Sequence, residues 1–382
     1  MALVAILNQL ELGFVIQARS SDSKFVIRLF KHFQQKANTS KIQSQYITYF
    51  STIFSLLELP NFCFPYSIIP LMSAAFWDFL VGDPQFLIHP VQIMGWLINL
   101  GTKIVLNSYQ KKWQRRLGGI IISLILIIGS GLAGWLITKI VYGVNAWLGM
   151  GLETILTASC FAGKSLRQAA ENVLTPLIEN DIAIARSNLS RYVGRDTTQL
   201  SSTDILRAIL ETVGENSVDG VTAPLFYAIL GVGIGLGAAP LALAYKAAST
   251  LDSMIGYRRE PYQDIGWFPA QFEDRLTWFP CRLTVATLAI FSGNPQKVFA
   301  ICRRDAIKDP SPNSGWSECA YAATLGVQLG GSNTYQGVTI DKPILGNPER
   351  EITSQTITMA MNLTRYCFLT WLVIFLLANS FC

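Results

Sequence analysis

The chain has 382 residues, of which 51% are hydrophobic and only 14% charged, with a formal net charge of +5. Soluble domains carry about 25% charged residues, so this balance argues for an integral membrane protein, and the positive charge is too small and dispersed for a nucleic-acid footprint. Seven cysteines without a CxxC pair imply neither a disulfide framework nor a zinc site, and with His32 and His89 the only histidines, any metal would be a hard cation on oxygen ligands.

Residues 1–60 differ from the rest. Short apolar runs are mixed with Arg19, Lys24, Arg28, Lys31, Lys36 and Lys41, and Glu11 interrupts what would otherwise be a signal-peptide core. This part reads as an accessory extension of uncertain status: an interfacial amphipathic segment, or chain added by an over-extended start. A first membrane segment is expected over 64–80. It leads through Asp78 into Gly82-Asp83-Pro84 and then His89-Pro90-Val91. A turn signal with carboxylates at the edge of an apolar segment is a setting in which acids are usually functional.

Lys111, Lys112, Arg115 and Arg116 precede the apolar run 117–137, which marks that end as cytoplasmic. A weaker run, 140–162, contains Asn145 and Glu153 and would bring the chain back across. At its end ASCFAGKS (158–165) matches a relaxed phosphate-loop pattern. It reads as part of one continuous helix with no strand before it, so the match is treated as coincidence, and Lys164 and Arg167 as headgroup anchors. Apolar spacing over 164–200 predicts two amphipathic helices, followed by the breaker Gly194-Arg195-Asp196-Thr197.

The stretch STDILRAILETVGENSVDG (202–220) is a carboxylate-rich island. On a helix, Arg207, Glu211, Glu215 and Asp219 fall at four-residue steps and share a face, with Asn216 beside them. Ser201, Ser202 or Thr203 can supply the N-cap. Three acids in a row need a cation: a metal ion, Arg or Lys from another segment, or a cationic group on a substrate. The plain alternative is a solvated helix face. Gly214 inside the stripe, and the apolar segment directly after it, argue against that alternative.

Segment 221–245 is long enough to span. A single crossing would put the acidic helix and the polar segment 246–282 on opposite sides. Gly231, Gly233, Gly235 and Gly237 instead predict a broken, re-entrant path. On the returning helix Lys246, Thr250 and Ser253 share a face suited to phosphate oxygens. Glu273-Asp274 and Arg282 close the polar stretch, and 283–291 is a short apolar run. Asn313 stands at a helix start that offers N–H donors to an anion. Residues 329–337 read as a Gly-rich loop, 338–360 as polar chain, and 366–381 as a terminal apolar helix.

Taken together, these motifs resemble the adenosylcobinamide-phosphate synthase family of cobalamin biosynthesis over about residues 65–345. The resemblance rests on D-x3-GDP with HPV and MG (78–95), VGRDT (193–197), ETVGENSVDGVTAPLFY (211–227), YKAASTLDSMIGY (245–257), FPCRL (279–283), SPNSGW (311–316) and LGGSNTYQG (329–337). The chain departs from the usual pattern at Gly214, Ser249, Gln271 and Thr277, where Ala, Asn, Arg and Asn are typical.

The resemblance implies an all-α, polytopic membrane helical bundle with amphipathic and re-entrant helices and polar cytoplasmic-side loops, in which residues 61–382 form a membrane-embedded synthase domain of the cell membrane. It implies an ATP-dependent ligase that joins adenosylcobyric acid to (R)-1-aminopropan-2-ol or its O-phosphate, with ATP and Mg²⁺ required. Catalysis would fall to Glu211, Glu215, Asn216 and Lys246. Substrate contacts would come from His89, Arg195, Asp196, Thr250, Tyr257, Arg282, Asn313 and Trp316, with Trp267 a further aromatic for the corrin face. Asp83, Glu215, Asp219, Asp252 and Asp274 would hold the metal. The implied partners are these small molecules, the lipid bilayer and other enzymes of the corrinoid pathway, with no nucleic acid. The rival readings are a membrane transporter of corrinoids or related metabolites, and a non-catalytic scaffold.

Overall fold

Apolar runs of good helix formers dominate the chain, and helices dominate the computed structural model, which describes residues 67–82, 89–335 and 337–380. The extension 1–60 and Asp83 lie outside these residues. Helix α1 (Ile68–Leu80) is followed by α2 (Pro90–Ser108), whose N-cap is His89; its Nδ1 accepts from the Val91 N–H at 3.3 Å. Helix α3 (Lys112–Val144) has 33 residues and so is about 50 Å long. It exposes Ile121, Ile125, Ile128, Leu132 and Leu136 along its length. Two helices, α3 and the C-terminal α13 (Ser354–Ser380), contain stretches long and apolar enough to cross a membrane.

The run 140–162 is not one segment. Asn145 adopts an extended conformation, ends α3 and caps α4 (Ala146–Ala158), accepting from the Trp147 and Leu148 N–H groups. An Asn side chain competes well for helix-end N–H groups, and that breaks the expected span. The supposed continuous helix across 158–165 is also broken, since α5 (Gly163–Ile178) starts afresh after a turn in which the Ala162 N–H donates to the Gly220 carbonyl. Lys164 is not a free headgroup anchor: its Nζ donates to the Leu80 and Val81 carbonyls at the C-terminus of α1. Among the described residues no strand precedes this turn.

Helix α6 (Ile182–Leu189) is capped by Asp181, and α7 (Ser202–Ser217) by Ser201, with Asp204 completing a reciprocal capping box. A π-helical turn (Val218–Thr222) joins α7 to α8 (Ala223–Gly233). The apolar segment then breaks at 234–238 and returns as α9 (Ala239–Ile255). Tyr227 near the start of α8 stacks on Tyr245 of α9 with ring centroids 4.9 Å apart, so the two helices form an antiparallel hairpin. At its tip Gly237 has φ +91°, and a Cβ there would overlap a Glu153 carboxylate oxygen. Only glycine meets both demands.

Helix α9 also runs antiparallel to α3. Gly134 in the second half of α3 meets Leu243 and Pro240 near the start of α9. Gly119 near the start of α3 lies against the Ile265 carbonyl, just beyond the end of α9. Helix α10 (Trp267–Phe291) is one continuous 25-residue helix, so 283–291 is its second half rather than a separate segment. Helices α11 (Pro295–Asp305) and α12 (Ser314–Leu325) follow.

The remaining element corrects the all-α expectation. Residues read as a Gly-rich loop and polar chain form an antiparallel β-hairpin, β1 (Leu329–Tyr335) and β2 (Val338–Leu345). Gly330 and Gly331, at φ +84° and +89°, sit where the register shifts. They build a bulge that side-chain-bearing residues rarely adopt.

Candidate active site

The acidic stripe of α7 forms as the spacing predicts, but its members have different fates. Arg207 donates to the Gly330 carbonyl and, at 3.4 Å, to that of Ser332. Glu211 is 2% exposed, pairs with the buried Arg195 guanidinium and accepts the Gly330 N–H at 3.1 Å. Arg195 also donates to Asn333 Oδ1 at 2.7 Å. Asp196 receives the Gly337 N–H, and its own N–H donates to the Thr334 carbonyl. The VGRDT segment and the first half of the stripe thus clamp the β-hairpin onto α7. Asn216 is exposed, and its Nδ2 donates to the Thr212 carbonyl of its own helix.

Among the described residues Glu215 and Asp219 have no such partners. Asp219 lies in the π-helical turn, a feature common at functional sites. Enclosure by protein pushes its carboxyl well above the usual range, and the charges of Glu273, Glu215 and Asp252 add to this while Lys246 opposes it. Glu215 is exposed, yet the protein packed around it desolvates its carboxylate, and that raises it first. Lys342 lowers it, whereas Asp309 and Glu211 raise it. Burial and the neighbouring Asp274 and Glu215 charges push Asp252 up to about 6. Glu273, 6% exposed on α10, is pushed up to about 8, chiefly by burial, although it accepts from Thr277 and, at 3.4 Å, from the Tyr245 hydroxyl. Four elements therefore bring Glu215, Asp252, Glu273 and Lys246 within electrostatic reach of Asp219, with Asp274 beside Asp252 and Glu273. The sequence stripe and the Lys246 face, 27 residues apart across the apolar hairpin, meet on one side of the fold.

The other expected residues divide. Thr250 is buried beside this cluster, and its hydroxyl donates to the Lys246 carbonyl at 2.7 Å, leaving its oxygen free to accept. Asn313, the N-cap of α12, donates to the Asp274 carbonyl at 2.8 Å, while its buried Oδ1 has no hydrogen-bond partner among the described residues. Arg282 is stacked between Trp316 and Trp278, 4.4 Å and 5.3 Å from their ring centroids, and donates to the Pro312 carbonyl. Tyr257 is exposed under Arg259, and Trp267 lies under Arg116. His89 caps α2, whose Gly95 approaches Met254, two residues beyond Asp252 on α9.

Among the described residues no three Asp, Glu, His or Cys side chains converge tightly enough to hold a metal alone. The site is nonetheless rich in oxygen donors, and Mg²⁺ commonly takes only one or two carboxylates plus the phosphates of its substrate.

Two site residues escaped the sequence reading. Glu318 on α12 is 2% exposed, and Lys342 on β2 is half-buried; each lies within electrostatic reach of Glu215 and Glu211. Burial works against the charge on Lys342, but Glu318, Glu211 and Glu215 outweigh it and hold the ammonium above its ordinary range. Glu318 was visible only as the end of the SPNSGW helix start, and nothing local marks Lys342.

The family model described as CobD/Cbib protein matches residues 71–364. A cobalamin biosynthesis protein CobD from Synechocystis sp. is 51% identical over 316 residues, covering 82% of this chain and 92% of the relative. A CobD from Halalkalibacterium halodurans is 40% identical over 322 residues, covering 82% and 97%. A cobalamin biosynthesis protein CbiB from Salmonella arizonae is 40% identical over 290 residues, covering 75% and 89%. No solved structure matches the chain significantly.

Proposed function

Because the chain belongs to the CobD/CbiB family of cobalamin biosynthesis, we propose that it is a multi-pass membrane ligase that joins adenosylcobyric acid to (R)-1-aminopropan-2-ol or its O-phosphate at the expense of ATP. The observation that carries this reading is that Asp219, in the π-helical turn, lies within electrostatic reach of Glu215, Asp252, Glu273 and Lys246 at once. A bare carboxylate does not condense with an amine in water, because its negative charge repels the nucleophile and oxide is a poor leaving group. Activation has the propionate oxygen attack the γ-phosphorus of ATP, with ADP departing. The amine nitrogen then attacks the acyl carbon, phosphate leaves, and a proton passes from nitrogen to a carboxylate.

The residues suit these demands. Mg²⁺, when bound with the nucleotide, supplies charge neutralisation at the phosphates, and Asp219, Asp252, Asp274 and Glu215 are the candidate oxygen donors, with the unpartnered Asn313 Oδ1 beside Asp274. Lys246 faces the same cluster as a phosphate-binding cation. Arg195 and Glu211 take a different part from the one the sequence suggested: paired with each other, they hold the hairpin against the site. Trp278 and Trp316 offer aromatic surface for a large planar substrate.

Topology supports the assignment. Arg116 in the basic start of α3 pairs with Asp264 at 3.2 Å, beyond the end of α9. Asp252, in the last turn of α9, therefore lies toward the basic half of α3, the half that the positive-inside rule would turn to the cytoplasm, where ATP is found. The tip of the apolar α8–α9 hairpin points the other way, as a re-entrant element would.

Membranes containing the chain, supplied with adenosylcobyric acid, ATP, Mg²⁺ and either amine, test this reading. Amide product with matching ADP is expected, and Glu215→Gln or Lys246→Ala should abolish it. Uptake of corrinoid into vesicles without ATP or product would identify a transporter instead, and neither outcome would leave a scaffold.

A further inference from the structure

At the tip of the α8–α9 hairpin, the end opposite Asp252, the fold encloses a cavity of about 560 Å³. Small-molecule sites typically measure about 300–1,000 Å³. The cavity lies between the start of α1, the last turns of α3, the start of α4 and the hairpin tip. Its charged lining residues are Lys139 and Glu153. Glu153 is 4% exposed, and its two oxygens accept the Ala238 N–H and the Tyr142 hydroxyl. Each of those oxygens can accept one hydrogen bond more. Lys139 is exposed and makes no hydrogen bond or ion pair among the described residues. The cation is therefore at the mouth and the acceptor deeper inside.

The cavity's level along α3 is that of a lipid headgroup layer. Lys112 and Lys139 are about 40 Å apart along the helix axis, and a bilayer with its headgroups is about 40–45 Å thick. Between them the exposed stripe of Ile121, Ile125, Ile128, Leu132 and Leu136 runs along α3, and Lys139 continues it at the same three- and four-residue spacing. Trp147, 69% exposed, and Tyr142 flank the cavity, as aromatic residues do at a membrane interface. Ala146 and Trp147 also begin α4, so the positive end of that helix adds to the Lys139 charge. An apolar track thus leads to a cation, and the cation to an enclosed acceptor. An acyl chain, a phosphate and a hydroxyl-bearing headgroup follow the same order.

We propose that this cavity is a specific site for an anionic glycerophospholipid with a hydroxylated headgroup, of the phosphatidylglycerol class, taken from the leaflet opposite the carboxylate cluster. Lys139 pairs with the phosphate. Glu153 accepts the headgroup hydroxyls, and one acyl chain lies along the α3 stripe. Because Gly235 and Gly237 line the cavity, the bound lipid braces the hairpin tip. The inference rests on the reading of α3 as a membrane span.

Brominated lipids test the site through Trp147. The purified full chain is placed in phosphatidylcholine nanodiscs containing rising fractions of acyl-brominated phosphatidylglycerol or acyl-brominated phosphatidylcholine. Quenching of Trp147 is the difference between the wild-type signal and that of Trp147→Phe. Half-quenching should need about tenfold less phosphatidylglycerol than phosphatidylcholine, the worth of one charge-assisted hydrogen bond. Lys139→Gln should bring the two curves together without moving the phosphatidylcholine curve, and Lys139→Arg should keep them apart. Ala146→Phe, which narrows the cavity without altering charge, should also abolish the preference. Coincident curves in the wild type, an unchanged preference in Lys139→Gln, or stronger quenching by brominated phosphatidylethanolamine, whose ammonium would pair with Glu153, would overturn the assignment. Release of the chain from membranes by alkaline carbonate would instead remove the span reading, a result distinct from those.

Discussion

Glu211 and Glu215 are one helical turn apart on the same face of α7, yet they do opposite things. Glu211 is buried and fully engaged by Arg195 and the Gly330 N–H. Glu215 is accessible, has no such partner and lies among other acids. The hairpin tip and base repeat the contrast: Glu153 at the tip accepts from the Ala238 N–H at 2.6 Å and the Tyr142 hydroxyl at 2.7 Å, while Asp219 at the base has other acids around it with Lys246 opposing them. A satisfied buried acid serves architecture. Acids crowded together without partners cost stability, and that cost is retained where a ligand supplies the missing charge.

The contrast can be broken most severely at Glu211. Glu211→Ala strands the buried Arg195 and should cost about 3–5 kcal/mol, seen as a lowered unfolding midpoint in detergent. Asp219→Asn should do the reverse: stability unchanged or improved, because a repelled charge is removed, and amide formation reduced by at least about 100-fold. A stable but inactive Glu211→Ala, or an unstable Asp219→Asn, would show that the two classes of acid are assigned the wrong way round.

The pH dependence sharpens the same point. Carboxyls in the unfolded chain titrate near pH 4, whereas Asp252 is pushed up to about 6 and Glu273 to about 8. Between those limits the folded chain holds protons that the unfolded chain has released. Stability should therefore fall as pH rises from about 4 to 8, and Glu273→Gln should flatten the upper part of that decline in a pH series of unfolding curves. The smallest effect is expected far from the cluster. Ser201→Ala removes the cap of α7 and should cost about 1 kcal/mol without changing the product formed.

How much of this was readable from the sequence depended on how local the cause was. The α7 stripe and its Ser201 cap follow from four-residue spacing and one hydroxyl. The break at Gly231–Gly237 follows from residues that cannot hold a helix together. The break at Asn145 was missed because apolar residues on both sides masked a capping side chain. The β-hairpin was missed because its bulge glycines look like loop and the alternation Val338-Thr339-Ile340-Asp341 is short, with its apolar members exposed. Lys342 and Glu318 could not be found locally, since their significance comes from Arg195, Asp196 and Arg207 holding distant chain against α7. The same long-range clamps took Arg195 and Glu211 out of the open part of the site.

The central claim is that the acidic stripe and the Lys246 face share one pocket on the cytoplasmic side. Asn216→Cys and Ser253→Cys place thiols at exposed positions on the two walls, and a membrane-impermeant maleimide applied separately to inside-out and right-side-out vesicles reads their sidedness directly. Labelling of both positions in inside-out vesicles alone, with protection by ATP and adenosylcobyric acid, is the predicted result. Labelling of the two positions from opposite faces would contradict it.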